Sequence, residues 1–338
     1  MRPPVAVESI TPADVAAARE RIAGTVVRTA TVPSPGLTRR VGQPVHLKME
    51  HRQITGSFKL RGATNAILSL SEEERVRGVV GVSTGNHGRS LAYAARQAGA
   101  RAIICMSELV PENKVSGIRA LGAEVRIVGR SQDDAQQEVD RLVRQEGMTM
   151  VSPFDHPAVI AGQGTLGLEM IEEVPDLTEV LVPLSGGGLV AGIALAVKSA
   201  RPRARITAIS MERGAAMAQS LRVGAPTGTQ ERLTLADSLG GGVGLDNRYT
   251  FNMVRSLVDR VVLLDEAEIA GGVRHAYWHE QEVVEGAGAV GIAALLAGKV
   301  TPQGTTVVLL SGRNIDMRLH HRLISGEDVD LEAEAEAA

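Results

Sequence analysis

A lysine set in a glycine-flanked, hydroxyl-rich segment is the feature of this chain that most suggests chemistry. Lys59 lies in Thr55-Gly-Ser-Phe-Lys-Leu-Arg-Gly-Ala63, beside Phe58 and close to the hydroxyls of Thr55 and Ser57. An amine held in a desolvated pocket has a lowered pKa. Part of it is then neutral and able to form a Schiff base with a carbonyl. A solvated lysine at the start of a surface helix is the ordinary alternative; two later segments argue against it.

The first is Ser83-Thr-Gly-Asn-His-Gly88, which follows an apolar run and opens a helical pattern. Its glycines let a ligand approach the backbone, and free amides at a helix start favour a carboxylate. Asn86 offers an amide donor and Ser83 and Thr84 add hydroxyls, with Gly85 and His87 as lining. A capped strand-to-helix turn would use the same residue types. The second is Ser185-Gly186-Gly187-Gly188-Leu189, where three bare glycines leave N–H groups free to surround a phosphate. No Lys-Ser/Thr pair follows, which excludes a nucleoside-triphosphate P-loop. Gly186 to Ala191 also fits a dinucleotide fingerprint, with Glu212 at about the acidic spacing; that reading, a nicotinamide-dependent oxidoreductase, leaves Lys59 and Asn86 without a task. Finally, Ser311-Gly-Arg-Asn314 closes the last apolar run. The Ser311 hydroxyl could meet a heterocycle nitrogen, and a strand-ending turn would account for it equally well.

These segments need elements to hold them. Short apolar runs at Val79–Ser83, Ala102–Met106, Glu124–Val128, Glu179–Leu184, Arg205–Met211, Arg260–Leu264 and Thr305–Ser311 read as strands buried in a parallel sheet. Helical patterns alternate with them at Gly88–Ala98, Val115–Leu121, Asp133–Glu146, Leu189–Ala200 and Glu266–Glu280. The class is therefore α/β, with mostly parallel sheets flanked by helices. Ligands in such sheets sit beyond the carboxyl ends of strands, where the three polar segments fall. Tighter strand spacing before residue 150, broken by Pro153 and Pro157, predicts two domains: a larger one of 1–74 plus 151–326 and a smaller one of 75–150. The acidic, Ala-rich tail 327–338 is expected to be disordered.

Composition narrows the function classes. The chain has 338 residues, 44% apolar and 22% charged, with a net charge of −3 and seven aromatics (three Phe, three Tyr, one Trp). It therefore lacks both the basic field and the stacking surface that a nucleic-acid partner would want. Its one cysteine, Cys105, sits in an apolar run and reads as a core residue, with no disulfide framework or zinc site. Neither a signal segment nor a run of about 20 apolar residues is evident. A cytoplasmic protein without membrane contact is expected, as a homodimer, the commonest assembly.

Taken together, the motifs resemble the fold-type II pyridoxal-phosphate enzymes of the serine/threonine dehydratase and serine racemase family. The resemblance runs from about Pro33 to Ile324 and rests on Gly56–Ala63, Ser83–Gly88, Pro157–Gly164, Ser185–Leu189, Glu285–Ala289 and Ser311–Asn314. Leu233–Arg248 and His275–Trp278 further resemble a bacterial subgroup of ectoine/hydroxyectoine-utilisation dehydratases. The resemblance implies that Lys59 is the Schiff-base lysine of a bound pyridoxal 5'-phosphate, carried by the larger domain. It implies that Asn86 holds the ring hydroxyl, Ser185 to Leu189 the phosphate and Ser311 the pyridine nitrogen, with Phe58 and Glu285 also at the cofactor. Ser83, Thr84, Gly85, His87 and Gly242 would face an amino-acid substrate. A neutral hydroxyl at the ring nitrogen implies a weaker electron sink, which favours β-elimination over transamination. Lys59 would abstract the Cα proton and the β-hydroxyl would leave, giving a 2-oxo acid and ammonia; a non-catalytic relative of the same fold stays open.

Departures from the family bear on the substrate. Thr84 stands where racemases carry Ser, leaving a second-face acid open, and Ala218 stands where metal-binding members carry Asp six residues after Glu212, so no metal is expected. The loop Gly240-Gly241-Gly242 is barer than its counterparts, which leaves room for a substrate larger than serine. Threonine, serine, a 3-hydroxyaspartate and a hydroxyectoine derivative all remain compatible.

Overall fold

The chain builds two sheets whose carboxyl ends face a common cleft. The computed structural model describes residues 9–83, 85–110 and 112–337. Its strands are β1 (Thr31–Pro33), β2 (Val45–Lys48), β3 (Val79–Val82), β4 (Ala102–Met106), β5 (Glu124–Ile127), β6 (Thr149–Met150), β7 (Glu179–Pro183), β8 (Arg205–Met211), β9 (Arg260–Leu264) and β10 (Thr306–Leu309). One sheet runs β1-β2-β10-β7-β8-β9 and the other β5-β4-β3-β6. Among the described strand pairs only β1–β2 is antiparallel. Parallel pairing demands crossovers, and helices supply them. This is the expected α/β class. All seven runs read as strands are strands; three match at both ends and the other four differ by one or two residues. The four-stranded sheet draws every strand from residues 79–150, and the other sheet draws its strands from 31–48 and 179–309.

Burial explains which strands were legible. β4, β7 and β10 are buried along their whole length, so their sequences are apolar except at the first positions of β7 and β10, Glu179 and Thr306. β2 reads Val-His-Leu-Lys, which looks like a surface segment, yet Lys48 is 0% exposed. Its Nζ donates to the Thr29 carbonyl at 2.5 Å and pairs with Glu169 at 2.7 Å and Glu173 at 3.0 Å. Arg61, 1% exposed, joins the same network. Its guanidinium donates to Glu50 at 2.7 and 3.0 Å, to Glu169 at 2.6 and 3.0 Å, and to Thr165 Oγ1 at 3.1 Å. Charges this deep persist only when paired and hydrogen-bonded.

The network ties helix Lys59–Leu68 to helix Pro157–Glu173, which contributes Glu169 and Glu173. Those helices meet closely because glycines line their contact. A Cβ on Gly162 would come within 2.7 Å of the Arg61 carbonyl and 2.8 Å of Gly62 Cα. The far side of the same helix packs on helix Gly188–Ala200, where a Cβ on Gly164 would meet the Gly192 carbonyl at 2.9 Å. The lysine segment and the triple-glycine segment are thus both seated on one helix.

The acidic tail is a correction to the sequence reading, which expected disorder. Residues Leu331–Ala337 form a helix. Val329 is buried, and Leu331 packs against the core of the larger sheet. Arg213 pairs with Asp330 at 2.8 Å, Arg232 with Glu332 at 2.5 Å and Arg322 with Glu334 at 2.5 Å. Arginines brought together from the folded body answer the carboxylates, a match that the tail's own composition does not display. Among the described residues no helix is long and apolar enough to cross a membrane.

Removing one partner from a buried ion network strands the others without water. Arg61→Ala should therefore cost about 3–5 kcal/mol of stability, read from the urea-unfolding midpoint. A midpoint equal to that of the unaltered chain would show that the network is dispensable.

Candidate active site

Lys59 begins helix Lys59–Leu68 and reaches into a cleft of about 340 Å³ between the two sheets. Its Nζ donates to the Pro153 carbonyl at 2.8 Å and lies 5.2 Å from the centre of the Phe58 ring. Burial pushes its pKa down to about 8, against an opposing pull from Glu285. Its place in the first turn of a helix also disfavours a cation there. The backbone before it is pinned to the end of β10: Phe58 N–H donates to the Ser311 carbonyl at 3.0 Å, and Ser57 bridges Gly312. Lys59 and Ser311, 252 residues apart in sequence, are neighbours for this reason.

The triple-glycine segment lines the opposite wall, between β7 and helix Gly188–Ala200. Gly187 has φ +91°, a conformation that side chains rarely adopt. Phe154 packs so tightly beneath it that a Cβ on Gly188 would sit 2.7 Å from the Phe154 carbonyl, and one on Gly186 would strike the Phe154 ring. Among the described residues no hydrogen bond takes the N–H groups of Ser185 to Leu189. They stand at a helix N-terminus, the arrangement that holds a phosphate. An amine of depressed pKa facing a glycine cradle is the donor set that a phosphorylated aldehyde fits.

Asn86 sits at the start of helix Asn86–Gln97, just past the end of β3. Its Nδ2 donates to Glu285 Oε1 at 2.7 Å, and its Oδ1 accepts from Asn314 Nδ2 at 2.5 Å. Burial and the nearby Asp237 raise Glu285 to about 7, against hydrogen bonds from Asn86, Asn314 and Ser238 that pull it down. His87 bonds the Val151 carbonyl at 2.9 Å, and burial together with Lys59 holds it at about 3. It is a neutral wall of the site rather than a base.

The structure brings together Phe58, Lys59, Ser83, Gly85, Asn86, His87, Ser185 to Leu189, Gly242, Glu285 and Ser311 around this one cleft. Thr84, the second catalytic candidate, lies outside the described residues. Glu212, which a dinucleotide reading would need, does not line the cleft; it is 56% exposed and faces Lys299 at 3.7 Å. Sequence reasoning missed Pro153 and Phe154, which act through a carbonyl and a ring face, and Glu231 and Asp237, which also line the cleft. Nothing local marks Pro153 or Phe154. The acidic residues flank the Gly240–Gly242 loop, and that proximity was a usable signal. Among the described residues no group of three His, Cys, Asp or Glu side chains could hold a metal ion.

Comparison with known proteins shows the family of the chain. The family pattern described as "pyridoxal-phosphate dependent enzyme" matches residues 22–312. A Sinorhizobium fredii protein provisionally named a threonine dehydratase is 62% identical over 310 residues, covering 91% of this chain and 93% of its own length. The L-threonine ammonia-lyase of Thermotoga maritima is 41% identical, covering 94% of this chain and 78% of its own. Among solved structures, maize serine racemase superposes with a TM-score of 0.88 at 30% identity, covering 98% of this chain and 100% of that one.

With a pKa of about 8, only the unprotonated fraction of Lys59 can attack an aldehyde. Covalent capture of pyridoxal phosphate by the cofactor-free protein should quicken about tenfold per pH unit below 8 and level off above it. Stopped-flow absorbance from pH 6 to 9.5 checks this. A rise that continues unbroken to pH 9.5 would mean that the amine keeps an ordinary lysine pKa.

Proposed function

The chain belongs to the pyridoxal-phosphate dependent enzyme family, and from that premise we propose that it is a dehydratase and ammonia-lyase. It would remove water from a β-hydroxy amino acid of the threonine type and release a 2-oxo acid and ammonia. The observation that carries this reading is the pairing of Lys59, an amine near pKa 8, with the glycine cradle across the cleft. The names of the two relatives support the substrate type.

Pyridoxal phosphate, when bound, supplies an electron sink for the charge that develops at the substrate Cα. Each remaining task falls to a residue of this chain. The N–H groups of Ser185 to Leu189 would hold the phosphate, and Phe154 keeps that loop rigid from below. Asn86 would donate to the ring hydroxyl. Ser311 would offer a neutral hydroxyl to the ring nitrogen, with Phe58 and Glu285 closing the pocket. Ser83, Thr84 and Gly85 would receive the substrate carboxylate, helped by the free amides at a helix start. Lys59 would take the Cα proton: an amine near pKa 8 is partly neutral at physiological pH and still basic enough to accept it. The larger domain, 1–74 plus 151–326, would carry the cofactor, and the smaller one, 75–150, would bring Ser83 to His87 to it.

The finer reading concerns size. A Cβ on Gly242 would meet only the Gly244 nitrogen, at 3.9 Å, so this wall of the cleft is open. That space, with the subgroup resemblance of Leu233 to Arg248, supports a substrate bulkier than serine, such as a hydroxyectoine derivative.

A panel of β-hydroxy amino acids and hydroxyectoine-derived compounds, assayed for ammonia and 2-oxo acid, tests both levels. We expect weak turnover of serine and threonine, faster turnover of a larger hydroxylated compound, and none by Lys59→Ala. Threonine giving the highest kcat/KM would remove the size reading and leave a threonine dehydratase. No release from any compound would remove the dehydratase itself.

A further inference from the structure

Asn314 belongs to a motif whose serine has a task in the site and whose asparagine has none. It is exposed, but its amide is committed inward. Nδ2 donates to the Thr55 carbonyl at 2.9 Å and to Asn86 Oδ1 at 2.5 Å, and its backbone N–H donates to Glu285 Oε2 at 3.0 Å. Gly56, at φ +79°, makes the room: a Cβ there would lie 2.5 Å from Asn314 Oδ1.

We propose that Asn314 is a positioning residue that locks the Asn86 amide so that Asn86 presents a donor, and no acceptor, to a ligand in the cleft. The orientation of an amide is decided by its neighbours. The Thr55 carbonyl can only accept, so the Asn314 group facing it must be Nδ2. The second hydrogen of that Nδ2 then obliges Asn86 to offer Oδ1 on the same side. Asn86 Nδ2 is left facing Glu285 at 2.7 Å, with one hydrogen still unspent and Ser238 Oγ at the 3.5 Å limit. Glu285 cannot set this orientation by itself. A carboxyl that titrates near neutrality can accept from an amide when ionised or donate to it when protonated. The Thr55–Asn314 anchor is indifferent to that proton. A donor-only Asn86 selects an oxygen that carries a lone pair and negative charge, and a charge-assisted hydrogen bond is among the stronger ones.

This inference rests on the cofactor reading above, in which that oxygen is the ring hydroxyl of pyridoxal phosphate in its ionised form. Two probes separate the effects: pyridoxal 5'-phosphate itself and 3-deoxypyridoxal 5'-phosphate, which lacks the oxygen. Equilibrium dialysis of each against the cofactor-free protein gives a preference ratio that general weakening of the site does not move. The unaltered protein should prefer pyridoxal phosphate by about tenfold or more, the scale of one hydrogen bond to a charged acceptor. Asn314→Ala should lose most of that preference, as should Asn86→Ala. In the Asn86→Ala background, Asn314→Ala should add nothing further, because the two act as a unit. Asn314→Ser, which keeps one donor, carries the same comparison should the alanine variant not fold. An unchanged ratio in the Asn314 variants, with both probes weakened alike, overturns the positioning role and leaves the cofactor reading intact. Failure of the unaltered protein to bind either probe overturns the cofactor reading, and this inference with it.

Discussion

An ammonium group that has lost its water is the constraint from which the site follows. Among the described residues Lys59 has one fixed partner, the Pro153 carbonyl, and no carboxylate is bonded to it. Had Glu285 been in direct contact, the pair would have held the lysine charged, and a charged amine cannot attack a carbonyl. Glu285 is instead bonded to Asn86 and Asn314, which leaves it to act on Lys59 only through space. A lowered amine and a raised carboxyl in one cavity therefore share a cause: both are desolvated, and neither is fully compensated by the other.

Keeping that lysine dry and in place requires a rigid floor. Two residues further along the same helix, Arg61 turns away from the cleft into the buried network of Glu50 and Glu169, joined by Lys48 and Glu173. Each charge gives up its hydration to enter the network, so its net gain in stability is small although removing one partner is costly. The other support is the segment Pro153–Asp155. Pro153 takes the Lys59 proton donor, Phe154 supports the glycine cradle, and Asp155 accepts from the N–H groups of Arg248, Tyr249 and Thr250. Helix Thr250–Leu257 has no cap from its own Tyr249, so Asp155 serves as one from across the fold. A Cβ on Gly187 would meet Thr250 and Val254 of that helix within about 3 Å, so three successive residues tie amine, cradle and the wall behind the cradle together.

How much of this the sequence displayed depends on whether the cause was local. Lys59, Asn86, Ser185 to Leu189 and Ser311 stood out because glycines and hydroxyls cluster beside them, and the cleft gathers them all. Strands buried on both faces were legible as largely apolar runs. Helix Gly286–Leu296 was not, because it is buried on every side and shows no amphipathic period. Lys48 and Arg61 look like surface residues until the carboxylates that balance them, up to 125 positions away, are brought alongside. The tail misled in the same way: its partners Arg213, Arg232 and Arg322 are contributed by the folded body. Pro153 acts only through its carbonyl, for which a side-chain alphabet has no symbol.

The central claim is that one desolvated amine, Lys59, carries the cofactor. The chain has five lysines, so the alternatives are few. Borohydride reduction of the protein loaded with pyridoxal phosphate, followed by proteolysis and mass spectrometry, locates the pyridoxyl group directly. The account predicts a stoichiometric label on the peptide that contains Ser57-Phe58-Lys59, with the other four lysines unmodified. A label spread over Lys198 and Lys299, or no stable label after reduction, would contradict it.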